Sequence, residues 1–557
     1  MGGNHHLNRT YKRKMEKRTN LSLSSLPNTM IIQSFFILNY VLYSNAFNVL
    51  VYSPSLGGSH TNFMARLSDT LTDAGHNVTF LIPVTDEARK DQFGVKKTKD
   101  VIVVEQDEEM RHQNKPLDEN MAPYWTTDAD SSNAETIFAV FQDAMKLSCE
   151  NLMRNQKVFD ELKSRNFDVG IFEPLSVCGL GYMYAIGIRK FVGASSYTFY
   201  DGVVAAIGEP IDFNYVPGML GRSGDKMSFS ERFENYRLSI ATNKIQWGMW
   251  DEEEKAYKTF LGDDIPDWRN LMPSTSVFFT NSIPYVDFPR AVSHKTVPIG
   301  GISVDVQLIK SQKLSTEWSA ILNERPYNML ISFGSMVRSM DMPKEWRKGL
   351  LEAIKSEPNV TFIWKYEHDN LDWAKEAKNI HFSKWVPQTA LLNDARLSAF
   401  LTHGGLGSTN ELAYLGKPAV MIPVFADQDR NANMLARHGG VQVAHKSELR
   451  NSRIIENAIH SIIHDEKYRK SAQKLAYLLN NQPLKPKEQV VKYTEFVAKF
   501  GPFPEMDSYG RKLGFIERNM LDIHLIIGLY YFFIVSCIFI VLRFLFKRIF
   551  IKVIKKD

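Results

Sequence analysis

The chain has 557 residues, 44% hydrophobic and 23% charged. This ordinary globular balance excludes a wholly disordered, collagen-like or disulfide-scaffold protein. At about 150 residues per domain, the length suggests two to four domains. The net charge of +5, from 67 basic and 62 acidic residues, is concentrated at the two ends. Lys12, Arg13, Lys14, Lys17 and Arg18 stand at one, and Arg543, Lys547, Arg548, Lys552, Lys555 and Lys556 at the other. The near-neutral body gives no support to nucleic-acid binding. The cysteines Cys149, Cys178 and Cys537 allow at most one disulfide outside the apolar C-terminal segment. They show no zinc-type spacing, and neither a metal nor a cofactor is expected.

In chain order, a basic leader is followed by an apolar run from Met30 to Tyr43 and by Ser44-Asn45-Ala46, the pattern of a signal peptide over residues 1–46. Phe47-Asn48-Val49-Leu50-Val51-Tyr52 is a short strand, and the turn Pro54-Ser55-Leu56-Gly57-Gly58-Ser59 follows. Phe63, Leu67, Leu71 and Ala74 mark one helix face, stopped at Gly75. Val78-Thr79-Phe80-Leu81-Ile82 completes a βαβ unit. A later strand, residues 167–172, ends at Glu173-Pro174.

The alternation restarts with a strand at residues 329–333 that runs into Gly334-Ser335, then a helix at about 343–354. Strands follow at 360–364, 397–401 and 419–422. Two such halves predict an α/β protein with two doubly wound sheets and a cleft between them, with ligands at the carboxyl ends of the strands. The expected units are 47–297 and 298–522, joined near Pro298 to Pro326. Residues 523–542 carry no formal charge apart from a protonated His524. At about 1.5 Å per residue they are long enough for a bilayer core of about 30 Å. The basic tail 543–557 then marks the cytosolic side and leaves the body lumenal.

The densest chemistry lies between Trp385 and Gln428. The segment reads Trp385-Val386-Pro387-Gln388, then Thr402-His403-Gly404-Gly405-Leu406-Gly407-Ser408-Thr409-Asn410-Glu411, then Asp427-Gln428. A strand ends at Leu401, a glycine-rich turn follows and a helix begins near Ser408. Glycines admit a ligand close to the backbone, and a helix N-terminus favours an anion. With His403 as a further donor this is a diphosphate cradle, distinct from a P-loop because no lysine-serine pair is present. Glu411, one turn into the helix, suits ribose hydroxyls, and Trp385 offers a flat face to a base.

This combination resembles the nucleotide-sugar signature of the UDP-glycosyltransferase family, which includes the UDP-glucuronosyltransferases. The resemblance covers nearly the whole mature chain and implies a GT-B-type fold, two Rossmann-like domains facing a cleft, plus a C-terminal transmembrane helix. It implies that Trp385 stacks on uracil and that Gln388 helps to hold the uridine. His403, Gly405, Ser408 and Ser335 would contact the diphosphate, Glu411 the ribose, and Asp427 with Gln428 the donor sugar. Vertebrate members often carry asparagine where Gly407 stands, implying one phosphate contact fewer here.

The catalytic base is expected from the first half. His60 follows the turn after the first strand and matches the family's catalytic histidine in the context Gly58-Ser59-His60. Its neutral imidazole would take the acceptor proton. The family's partner aspartate corresponds to Glu173, one methylene longer. Asp168 competes for that role but begins its strand, at the wrong edge of the sheet. Asp287-Phe288-Pro289-Arg290 resembles the segment whose arginine meets the carboxylate of a glucuronate donor.

The resulting expectation is an inverting enzyme that moves sugar from UDP-glucuronate or UDP-glucose to a small lipophilic acceptor. It would be a single-pass type I protein of the endoplasmic reticulum membrane and a possible homo- or hetero-oligomer. A non-catalytic partner that kept the nucleotide site is the alternative, and the presence of His60 favours the enzyme. The aromatic stretch from Tyr197 to Tyr200 is a candidate acceptor wall. Asn77-Val78-Thr79 and Asn359-Val360-Thr361 are glycosylation sequons, and Lys555-Lys556-Asp557 resembles a dilysine retrieval signal.

Overall fold

The computed structural model describes residues 46–113, 121–128, 130, 132–198 and 201–554. The leader up to residue 45, positions 199–200 of the aromatic stretch and the last three residues therefore lie outside the described residues.

The first sheet contains β1 (Asn48–Tyr52), β2 (Asn77–Pro83), β3 (Asp100–Val104), β4 (Val169–Phe172), β5 (Phe191–Ser195), β6 (Val277–Thr280) and β7 (Thr296–Pro298). Its order is β3-β2-β1-β4-β5-β6-β7, with every neighbour parallel. The second contains β8 (Tyr327–Ser332), β9 (Val360–Lys365), β10 (Ile380–Ser383), β11 (Ala399–Thr402), β12 (Ala419–Met421) and β13 (Val441–Val443). Its order is β10-β9-β8-β11-β12-β13, again parallel throughout. Each order reverses once, between β1 and β4 in the first sheet and between β8 and β11 in the second. Crevices open at the carboxyl ends of strands at such reversals.

Both faces of each sheet are covered, which is why the strands read as continuous apolar runs. In β1, Val49 and Val51 join one buried cluster with Phe63, Leu67 and Leu71 of the helix Gly58–Asp73. Leu50 and Tyr52 alternate into the opposite cluster with Cys178 and Trp250. Each such side chain adds about 1.5–3 kcal/mol when fully buried.

Segments of each half pack into the other. Met121, Tyr124 and Trp125 belong to a buried cluster of the second half, and Trp125 Nε1 donates to the Arg338 carbonyl at 3.1 Å. Conversely, the helix Pro486–Phe500, expected with the second unit, buries Val490, Val497 and Ala498 against the first sheet. The expected boundary at 297/298 falls within β7. Cys149 and Cys178 form a disulfide between the helices Ala134–Arg154 and Cys178–Ala185. At the C-terminus one helix runs from Leu521 to Ile554, and Leu521–Ile551 is long and apolar enough to span a membrane. The basic residues Arg543, Lys547 and Arg548 continue this helix instead of starting a separate tail.

Candidate active site

The segments that follow β1, β4, β8 and β11 hold four of the predicted residues, His60, Glu173, Ser335 and His403, and all four lie at the two sheet reversals. His60 does not sit in the loop. The helix begins at Gly58, so His60 is in its first turn, 8% exposed. Register aligns Tyr52 with Phe172, so the chain leaves β1 and β4 at the same level and Glu173 follows at once. Its Oε1 lies 2.8 Å from His60 Nδ1. Asp168, the competing candidate, is at the other end of the strand, where its Oδ2 accepts the Asn48 N–H at 2.8 Å.

A carboxylate can only accept, so the His60 proton resides on Nδ1 and Nε2 is the acceptor nitrogen. Tyr197 donates its hydroxyl to that nitrogen at 3.0 Å. Ser196 completes the group. Its backbone N–H reaches Glu173 Oε1 at 3.2 Å, and its hydroxyl lies against both Glu173 Oε1 and His60 Nδ1. Burial opposes a charge on His60, but the charge and hydrogen bond of Glu173, with a further contribution from Asp427, outweigh it. The histidine pKa is therefore raised above its ordinary value. Asp427, from the second half, is thus near enough for its charge to act on His60.

On the second half, register pairs Thr402 with Ser332, bringing the glycine turns after β8 and β11 side by side. The His403 ring fills the gap between them. A Cβ on Gly334 would stand 2.7 Å from His403 Nε2, and one on Gly405 2.6 Å from the same atom. Gly334 also has φ +88°, which a side chain would strain. Burial, opposed by a hydrogen bond to the Ser332 backbone and aided by the Lys365 charge, pulls the His403 pKa down to about 4. It is thus a neutral hydrogen-bonding group at physiological pH.

The helix Leu406–Leu415 starts from Gly405 with no side-chain cap, so its first N–H groups face the turn. Thr409 braces the turn by donating to the carbonyls of Gly404 and Gly405 at 3.2 and 3.1 Å. Ser335 is exposed beside this cradle.

Gln388 donates through Nε2 to Ser408 Oγ at 3.0 Å and to Glu411 Oε2 at 2.7 Å, so the three predicted residues form one cluster. Burial raises the Glu411 pKa to about 7, against the pull of the Gln388 bond. Trp385 is 76% exposed, an open flat face in place of core packing. Asp427 accepts from Asn431 Nδ2 at 2.8 Å, and its pKa is raised by burial. Gln428 is buried, and its Oε1 accepts the backbone N–H groups of Val424 and Phe425 at 2.8 and 3.1 Å.

Arg290 is engaged elsewhere. Its Nη1 meets the buried Glu209 at 3.1 Å. The acid of the same motif is the residue that spans the halves, since Asp287 Oδ1 pairs with Arg430 Nη2 at 2.8 Å.

Besides Ser196, further residues were given no role from the sequence. Lys365, at the end of β9, donates to the Gly334 carbonyl at 2.8 Å and puts a cation beside the cradle. Asn281 holds the Ser196 carbonyl at 2.9 Å and also accepts from Asn410 Nδ2 at 3.0 Å. Asn410 neighbours Glu411, so a buried polar chain joins the histidine group to the cradle helix. The Phe-Gly-Ser turn pointed near Lys365, but no sequence pattern signalled the asparagine pair.

Two doubly wound parallel halves with site turns at both reversals define a glycosyltransferase of the GT-B type. Solved structures share the fold. A UDP-glucosyltransferase from Polygonum tinctorium matches at TM-score 0.55 and 16% identity, covering 82% of this chain and 99% of that one. The glycosyltransferase VinC in complex with dTDP matches at TM-score 0.53 and 15% identity, covering 82% of this chain and 100% of that one. Residues 48–557 match the family described as "UDP-glucoronosyl and UDP-glucosyl transferase", and the chain belongs to that family. Among relatives, "Putative UDP-glucuronosyltransferase ugt-47" of Caenorhabditis elegans is 27% identical over 91% of this chain and 93% of that protein. "UDP-glucosyltransferase 2" of Dactylopius coccus is 24% identical over 86% and 89%. The chain is a UDP-glycosyltransferase that takes its sugar from a nucleotide-sugar donor.

Proposed function

We propose that this enzyme transfers glucuronate from UDP-glucuronate to a hydroxyl of a small lipophilic acceptor, with inversion at the anomeric carbon. The observation that carries the proposal is the buried His60–Glu173 pair, 2.8 Å apart, with the charge of Asp427 from the second half acting on the same histidine. In the proposed step the acceptor oxygen displaces Tyr197 from Nε2 and attacks the anomeric carbon. The bond to UDP breaks with its electron pair leaving on the diphosphate, and the acceptor proton passes to Nε2. Glu173 holds the tautomer and stabilises the imidazolium. Trp385 stacks on uracil and Gln388 with Glu411 holds the ribose side. His403, Ser335, Ser408 and the amide N–H groups after Gly405 take the diphosphate, while Asp427 and Gln428 meet the sugar hydroxyls.

UDP-glucose is the second reading, and one observation favours it. The Arg290 guanidinium is already matched by Glu209, so its charge is not reserved for a donor carboxylate. Radiolabelled UDP-glucuronate and UDP-glucose, assayed side by side with a panel of phenols, alcohols and sterols, decide between them. Transfer from neither donor, with folded protein and wild-type UDP binding, would sink both.

The same reading places the body in a lumen. It rests on the apolar span followed by basic residues, on the disulfide, which suits an oxidising compartment, and on the exposed Asn77 and Asn359 of the two sequons. An anchored cleft also stays beside a bilayer, where lipophilic acceptors concentrate. In sealed endoplasmic-reticulum vesicles, protease should remove only the tail. Digestion of the whole body without detergent would reverse the topology.

A further inference from the structure

We infer that Glu357, His460 and His464 form a binding site for a divalent transition-metal ion of the zinc type. The three side chains come from two places in the chain. Glu357 lies just past the helix Lys344–Lys355, and the histidines occupy the last turns of the helix Ser452–His464. Four residues apart on a helix, they project from one face. Tyr327, the first residue of β8, packs edge-on against His464 with ring centroids 4.8 Å apart. The cluster therefore lies at the amino ends of the second sheet, while the nucleotide cradle lies at the carboxyl ends.

The donor set and its spacing favour a metal. One ligand atom from each residue lies within 4.8 Å of the other two. His460 Nδ1 is 2.8 Å from Glu357 Oε1, and His464 Nε2 is 3.7 Å from Oε2. Ligand bonds of about 2.0–2.2 Å in a tetrahedron put two ligand atoms about 3.4 Å apart, a value these distances bracket. Two imidazoles and one carboxylate suit zinc and its neighbours, whereas calcium and magnesium prefer oxygen alone.

The main chain at Glu357 is fixed, since its backbone carbonyl accepts from Asn379 Nδ2 at 3.0 Å and from the Val360 N–H at 3.1 Å. Its side chain is only 11% exposed, and the two imidazoles are its ion-pair partners among the described residues. No lysine or arginine is paired with this carboxylate there, so a bound cation would supply its counter-charge. His460 is 64% exposed, which leaves room for water as a further ligand. Binding would replace a proton on an imidazole nitrogen and tie the helix Ser452–His464 to the turn after Lys344–Lys355.

The test adds zinc chloride alone to the full chain, purified in detergent and stripped with chelator. Equilibrium dialysis at micromolar free zinc should show one more bound zinc in the wild type than in His460→Gln/His464→Gln. The chain's 14 histidines provide background sites, which the double variant otherwise retains. Zinc should raise the wild-type melting temperature and lose that effect in the variant. UDP affinity should be the same in both, which checks folding at the far end of the sheet. A wild-type titration with cobalt(II) needs no variant and should develop a visible absorption band that zinc abolishes. Equal zinc stoichiometry in both proteins, or no cobalt band in the wild type, overturns the site. Calcium uptake without zinc uptake overturns its assignment to a transition metal.

Discussion

Glu173 meets His60 at 2.8 Å although its side chain is one methylene longer than the family's aspartate. The fit is local. The Ser196 N–H and hydroxyl both converge on the same Oε1, so the extra length is fixed by two donors besides the imidazole. Glutamate therefore preserves the contact with Nδ1, and with it the orientation of Nε2 toward the Tyr197 hydroxyl.

Burial disfavours charged His60, and Glu173 and Asp427 more than offset it, so its pKa is raised. A base acts in its neutral form, and turnover should be lost as pH falls through that raised value. Glu173→Gln removes the attraction and leaves the burial, so the acidic limb of kcat/KM should move to lower pH while the plateau falls. A limb at the same pH in both enzymes would show that another group sets it. The sign for stability is the opposite. A raised folded pKa adds stability that is fully present below the unfolded value and is lost as pH rises through the folded one.

Gly407 is exposed at the start of the cradle helix, and a Cβ there meets nothing within 4 Å. Gly407→Asn should therefore be accommodated without displacement and add a side-chain donor near the diphosphate. UDP affinity should rise by about 5- to 13-fold, the worth of one net hydrogen bond of about 1–1.5 kcal/mol. Unchanged or weaker binding by calorimetry would mean that the diphosphate lies elsewhere.

The Asn281–Asn410 bond links the histidine group to the donor half. Asn410→Ala should leave Asn281 Oδ1 buried without this donor and cost about 1–3 kcal/mol by thermal or denaturant unfolding. It should also lower kcat more than it changes KM for donor, because Asn281, which holds the Ser196 carbonyl, loses its link to the donor half. Full stability with unchanged kcat would make the bond incidental.

Legibility followed sequence distance. β1, β2 and β4 were readable because their apolar runs are short and bounded by turns, and the cradle because its residues are nearly contiguous. Residues 486–500 fall within the expected unit 298–522, yet the buried face of the helix Pro486–Phe500 fits the first sheet, a choice made by tertiary packing. The role of Arg290 depended on Glu209, and Glu357 meets His460 only in the folded chain. His60 shows the smaller error expected at element ends. The glycine-rich turn before it reads as running to Ser59, while the helix starts at Gly58.

The central claim is a division of labour, with the base on the first half and the nucleotide on the second. UDP titration calorimetry paired with turnover, on wild type, His60→Ala, His403→Ala and Glu411→Ala, tests it most directly. His60→Ala should bind UDP like the wild type while turnover falls about 100- to 10,000-fold. His403→Ala and Glu411→Ala should each lose about 1–3 kcal/mol of UDP affinity. Full turnover in His60→Ala, or wild-type UDP affinity in both of the other variants, would contradict the account.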